Sequence, residues 1–190
     1  MNVDDNITPL MPSIVALHKL FTIFNNKAII IGGVAASLLG KPRLTADVDA
    51  VLNLSIEEIP SLIDIAKQEG LFPRIKNAED FARQHRVLLL RHDESGINVD
   101  ISLALLPFEI EAIERSIAHQ AGKIEIRLPT PEDLIIFKAV AHREKDLLDI
   151  QEIIKSQPKL DREHIIHWVK EFAEVLEMPE IWDDIAKWLF

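Results

Sequence analysis

Apolar residues at Ile14, Leu17, Leu20, Phe21 and Phe24 recur at helical spacing, so Pro12 to Phe24 predicts a first helix. The pattern then changes. Lys27-Ala-Ile-Ile-Ile31 is a short continuous apolar run rich in β-branched side chains and closed by Gly32-Gly33, which predicts a buried strand and a tight turn. Val34 to Leu39 suits a short helix, and Asp47-Val-Asp-Ala-Val-Leu52 alternates as a second strand. Ser55-Ile-Glu-Glu58 has the form of a helix start, a capping Ser with Glu three residues on, and Ile59, Leu62, Ile63 and Ala66 carry the helical spacing towards Gly70. Val87 to Leu90 and Ile97 to Leu103 read as two strands joined by a hairpin through Arg91 to Gly96.

Phe108 to Ala118 predicts another helix and Lys123-Ile-Glu-Ile-Arg-Leu128 another strand. Thr130-Pro-Glu-Asp133 then gives a nearly complete helix start: a capping Thr, a Pro where its missing N–H is harmless, and acids in the first turn. Everything after it reads as helix, divided by Pro158 and Pro179 into Pro131 to Ser156, Asp161 to Glu177 and Pro179 to Phe190. The outline is an α/β core over residues 1–128 followed by a helical region over 129–190.

Composition narrows the class. With 190 residues, 48% hydrophobic and 27% charged, the chain has the material for one compact domain, or one with a small appendage. It has no cysteine, which excludes disulfides and thiolate chemistry and makes the cytoplasm the default address. The longest uncharged run, Ala28 to Gly40, is too short to span a bilayer, so no membrane association is expected. Met1 to Asn6 carries two Asp and no basic residue, unlike a secretory leader. The net charge of −10 argues against general gripping of a phosphate backbone, but it is uneven. Leu71 to His92 holds five Lys/Arg against two acids, whereas Glu144 to Phe190 holds six against twelve.

The chemistry concentrates around Gly32-Gly33 and Asp47-Val48-Asp49. Residues two apart on a strand share a face, so Asp47 and Asp49 project side by side, a pair suited to hard divalent cations. Asp-x-Asp alone equally fits a solvated strand edge. Asn98-Val99-Asp100-Ile101 adds a third carboxylate within an otherwise apolar strand, where a charge needs a partner or a metal. Three carboxylates from adjacent strands can hold the two ions used for in-line phosphoryl displacement. Glycines before a helix let a phosphate approach its N-terminus.

Gly32-Gly33, Asp47-Val48-Asp49 and the later-strand Asp100 together resemble the DNA polymerase β-like nucleotidyltransferase superfamily. Pro129 to Lys138, followed by His142-Arg143-Glu-Lys145-Asp146-Leu-Leu-Asp149, resembles the Lys and Arg-x-Lys-Asp-x-x-Asp segment of the AbiEii-type toxin nucleotidyltransferases. The resemblance spans Ala28 to Ile150. It implies an α+β fold, a mixed sheet flanked by helices and followed by a C-terminal helical region. It also implies transfer of a nucleoside monophosphate from an NTP to a hydroxyl acceptor. Asp47, Asp49 and Asp100 would hold Mg²⁺ or Mn²⁺, with Asp100 helping to deprotonate the acceptor. Gly32 and Gly33 would pack against the triphosphate, and Lys138 would neutralise its charge. In such toxins the acceptor can be the 3′ end of tRNA; elsewhere in the superfamily it is a small hydroxylated antibiotic or a protein.

If Lys138 to Asp149 is one helix, Lys138, Lys145 and Asp149 share a face, which adds Lys145 to the NTP-binding set. Arg143 and Asp146 equally suit an ion pair joining the two halves. A tRNA acceptor predicts that Arg74, Lys76, Arg83, Arg86 and Arg91 form a basic groove with steep salt dependence; a small-molecule acceptor predicts neither. The acidic second half suits a basic partner such as a cognate antitoxin. The competing reading keeps the fold and loses the chemistry, leaving an inactive binding module. His85 and His92 flank the basic stretch and are expected to face solvent, and His164 with His167 lacks a third ligand for zinc. Trp168, Trp182 and Trp188 read as helical core.

Overall fold

The computed structural model describes residues 6–190, so the reading of Met1 to Asn6 falls, apart from Asn6, outside the described residues. A 3₁₀ turn, Thr8–Leu10, leads into α1 (Met11–Ile23), whose Ile14, Leu17, Leu20 and Phe21 form the buried stripe that the spacing predicts. β1 (Ala28–Ile30) follows, then α2 (Gly32–Leu39). The glycines expected in a turn before the helix are instead its first residues. Gly32 has φ +62°, which lets strand become helix across one residue.

β2 (Asp47–Leu52) has the expected bounds. Ser55 and Glu58 then form a capping box, with the Glu58 carboxylate accepting from the Ser55 N–H at 3.3 Å, ahead of α3 (Ile59–Gln68). Two elements have no apolar signature: β3 (Leu71–Pro73) and α4 (Ala78–His85), in which only Ala78 and Ala82 are buried. β4 (Val87–His92) and β5 (Asn98–Leu103) form the expected hairpin. α5 (Pro107–Glu114) is shorter than expected, because Ile117 and Ala118 belong to β6 (Ile117–Ala121), which pairs antiparallel with β7 (Ile124–Leu128).

The main sheet has the order β1-β2-β5-β4-β3 and is antiparallel except for the parallel pair β2 and β5. Val48, Ala50, Leu88, Leu90, Val99 and Ile101 are buried on one face of it, where α1 packs on β2, β3 and β4. Strand alternation sends Asp47, Asp49, Leu89, Arg91, Asn98 and Asp100 to the other face.

The helical region is α6 (Pro131–Ala141), α7 (Glu144–Ser156), α8 (Arg162–Val175) and α9 (Glu180–Leu189). The single helix expected from Pro131 to Ser156 is thus two. His142, at φ +48°, ends α6 with its N–H on the Lys138 carbonyl at 3.0 Å, and the chain restarts at a new angle from Arg143. α6 is buried around most of its circumference and meets α2, α7, α8 and α9. Its fully buried Asp133 is answered by Arg115 and by His164 Nε2 at 2.7 Å, so His164 ties α8 to α6. Trp168 packs against Phe108 and Phe172 as part of the core. Among the described residues no helix is long and apolar enough to cross a membrane.

Candidate active site

The parallel register pairs Asp47 with Asn98 and Asp49 with Asp100, so the three acids singled out in the sequence share one patch of one sheet face. The turn from β1 into α2 closes over them. Ile31 donates its N–H to the Asp49 carbonyl at 2.8 Å, and a Cβ added at Gly32 would stand 2.0 Å from Asp49 Oδ2. Glycine is required there twice, for its φ and for the space the carboxylate fills. Gly33 is similarly tight against Thr45, whose hydroxyl donates to Asp47 Oδ1 at 3.0 Å.

Burial, and then the charges of Asp47 and Asp100, push the Asp49 carboxyl up from 3.8 to about 6, against the pull of Arg143 and Lys145. Asp100 is also raised, by burial first, although Arg74 is bonded to it and opposes the rise. Among the described residues no three acidic or histidine side chains stand gathered around a common metal position. The donor set nevertheless suits a hard cation: three carboxylates, one fitted into a glycine cradle and burdened by the other two. A hollow of about 170 Å³ opens above Asp49 and Asp100, walled by Gly32, Phe137, Lys138 and Arg143. A larger hollow of about 640 Å³ lies between α1 and the His92 side of the sheet, away from the carboxylates.

A family model described as "Nucleotidyltransferase of unknown function (DUF6036)" matches residues 14–181. The chain belongs to that family. The search of curated proteins finds no match. Among solved structures, an antigenic nucleotidyltransferase-like protein from Paracoccidioides brasiliensis is similar in fold. Its TM-score is 0.54 at 16% identity, over 96% of this chain and 93% of that one.

In this DUF6036 nucleotidyltransferase Lys138 is not a free cation. Its Nζ, buried, bonds Asp146 Oδ1 at 3.1 Å and Asp149 Oδ2 at 2.7 Å. Arg43 adds a bidentate grip on Asp149, both bonds at 2.8 Å, and Arg143 bonds Asp146. Burial raises both carboxyls, but these cations outweigh it and hold both below the usual carboxylate range. The break at His142 explains the difference from the single-helix picture, since α7 turns Asp146 and Asp149 back onto Lys138 and leaves Lys145 exposed. Lys145 and Arg143 are the cations whose charge reaches Asp49.

The basic groove of five residues does not form. Arg83 pairs with Glu79 on α4, Arg86 donates to the Ala104 carbonyl, and Lys76 borders a separate hollow with Lys67. Only Arg74 and Arg91 reach the carboxylate face. His92, expected in solvent, is buried with Nδ1 2.9 Å from Ser95 Oγ, because its even position in β4 faces the core. Sequence reasoning missed Thr45 and Arg43, which lie in the loop between α2 and β2 and carry no motif.

Proposed function

We propose that this nucleotidyltransferase moves a nucleoside monophosphate from an NTP to an acceptor hydroxyl and releases pyrophosphate, with Mg²⁺ or Mn²⁺ held by Asp47, Asp49 and Asp100. The observation that carries the reading is the parallel register that sets Asp49 beside Asp100 with Asp47 on the same face. Held by these three carboxylates, Mg²⁺ or Mn²⁺ would neutralise charge on the triphosphate and on the oxygen that attacks it. The acceptor oxygen bonds the α-phosphorus, the bond from that phosphorus to the bridging oxygen breaks, and the hydroxyl proton passes to Asp100. Gly32 and Gly33 seat Asp49 and Thr45 closely against the start of α2, where the helix N-terminus would meet the triphosphate. Lys145 and Arg143 meet its charge. Lys138 acts as a positioning residue, fixing Asp146 and Asp149 so that Arg143 and α7 stay against Asp49.

The interlocking of Lys138, Arg143, Asp146 and Asp149 supports an assignment to the AbiEii-type group, as the cytoplasmic toxin of a toxin–antitoxin pair. Its antitoxin would dock on the acidic helical half. Incubation with Mg²⁺, each α-labelled NTP and total tRNA or small hydroxylated acceptors tests the transfer. Label should move in the wild type and not in Asp47→Asn or Asp49→Asn, and no Asp49-dependent transfer to any acceptor would overturn the reading. One observation favours an inactive scaffold instead, namely that Arg74 holds Asp100. That reading predicts that NTP and Mg²⁺ together raise the melting temperature no more than either alone.

A further inference from the structure

Beside the carboxylates, the edge of the sheet carries a second cleft that the transfer chemistry leaves unused. It measures about 470 Å³ and is lined by Phe72, Pro73, Arg74, Arg91, Asp93 and Asn98. Strand pairing builds it as two rows on the carboxylate face. One row runs Asp47, Asn98, Arg91, Phe72. The other runs Asp49, Asp100, Leu89 and Arg74, the last joined by its N–H to the Leu89 carbonyl at 3.0 Å. The cleft therefore lies beside the carboxylates on the same sheet face, and Arg74, which lines it, bonds Asp100 through its guanidinium.

The lining is poorly explained as a plain sheet edge. Phe72 is 44% exposed. The guanidinium of Arg91, directly opposite it, and the side-chain amide of Asn98 have no hydrogen-bond or ion-pair partner among the described residues. An exposed ring, two guanidinium groups and an unpaired amide are what holds a nucleotide: the ring stacks a base, the guanidinium groups take a phosphate, and the amide bonds a base edge.

We propose that this cleft is the acceptor subsite and takes a nucleotide unit, its base on Phe72 and its phosphate between Arg91 and Arg74. The inference rests on the transferase reading and names its acceptor class as a free nucleotide or the end of an oligonucleotide. The acceptor phosphate competes with Asp100 for Arg74, so seating the acceptor releases the carboxylate that receives its proton. Asp93 keeps the phosphate to the arginine side of the cleft. Because only two cations serve it, binding to a single strand has a shallow salt slope of about −1.4 in log–log form.

The test titrates the full chain into a 5′-fluorescein-labelled, mixed-sequence RNA hexamer by anisotropy and measures the Mg²⁺–NTP melting shift in parallel. Phe72→Ala and Arg91→Ala should each weaken RNA binding by about ten-fold or more. Phe72→Trp should retain it, as should Lys123→Ala on the β6–β7 turn, and all four should melt as the wild type and keep the NTP shift. Displacement of the RNA by millimolar AMP, CMP, GMP or UMP identifies the free nucleotide as sufficient; failure of all four to displace it identifies the oligonucleotide end. Binding unaffected by both Phe72→Ala and Arg91→Ala, or no binding of RNA or mononucleotide, overturns the proposal. Loss of the NTP shift with Phe72-dependent RNA binding intact would sink the transferase reading and leave the nucleotide cleft standing.

Discussion

Asp49→Asn removes a charge that the folded protein holds at a cost. Burial, Asp47 and Asp100 move this carboxyl from 3.8 to about 6. Above pH about 6 it is ionised both folded and unfolded, and the native state bears the full cost. Below pH about 3.8 it is neutral in both states and costs nothing, so stability falls as pH rises through that window. That rise corresponds to about 3 kcal/mol, and partial solvent access reduces the expected gain from Asn to about 2 kcal/mol at pH 7.5. For a chain of this size that is an increase of about 4–8 °C in Tm. Calorimetry in EDTA at pH 7.5 and pH 4 reads it directly, with the gain full at the first and largely gone at the second. Added Mg²⁺ should raise the Tm of the wild type but not of the variant. An Asp49→Asn protein that melts at or below the wild type at pH 7.5, or gains equally at pH 4, would refute the claim that these carboxylates oppose one another.

Lys138→Met leaves buried Asp146 and Asp149 short of a cation and should cost about 3 kcal/mol, read as a lower urea midpoint. Lys145→Ala, at an exposed position, should leave stability unchanged while raising KM for the NTP about ten-fold with little change in kcat. Gly32→Ala should lose about 1–2 kcal/mol from its left-handed backbone alone, and steady-state assays should find no transfer because the new Cβ displaces Asp49.

Elements whose side-chain pattern is set by burial on one face were legible in the sequence. β2 alternates over Asp47 to Ala50 because only one of its faces is dry there, and Ser55 and Thr130 announce their helices because caps use short polar side chains. β6 was hidden because Ile110, Ile113 and Ile117 keep helical spacing past the end of α5. α4 buries only two alanines and so left no apolar stripe to read. In the site, the three acids were readable from strand alternation, but their pairing needed the parallel register of β2 and β5. The shared face expected for Lys138, Lys145 and Asp149 assumed a straight helix, and the left-handed His142 that ends α6 is neither Gly nor Asn and so did not mark the break. Phe72 and Arg91 meet only through β3, whose three residues have no periodicity.

The proposed function turns on metal-dependent transfer of an NMP directed by Asp47, Asp49 and Asp100. Parallel reactions with α-labelled and γ-labelled NTP, with Mg²⁺ or EDTA, in the wild type and Asp49→Asn, test it most directly. Only the α-label should reach the acceptor, with equimolar pyrophosphate, and EDTA or Asp49→Asn should abolish its transfer. Transfer of the γ-label, or α-label transfer that survives in Asp49→Asn, would contradict it.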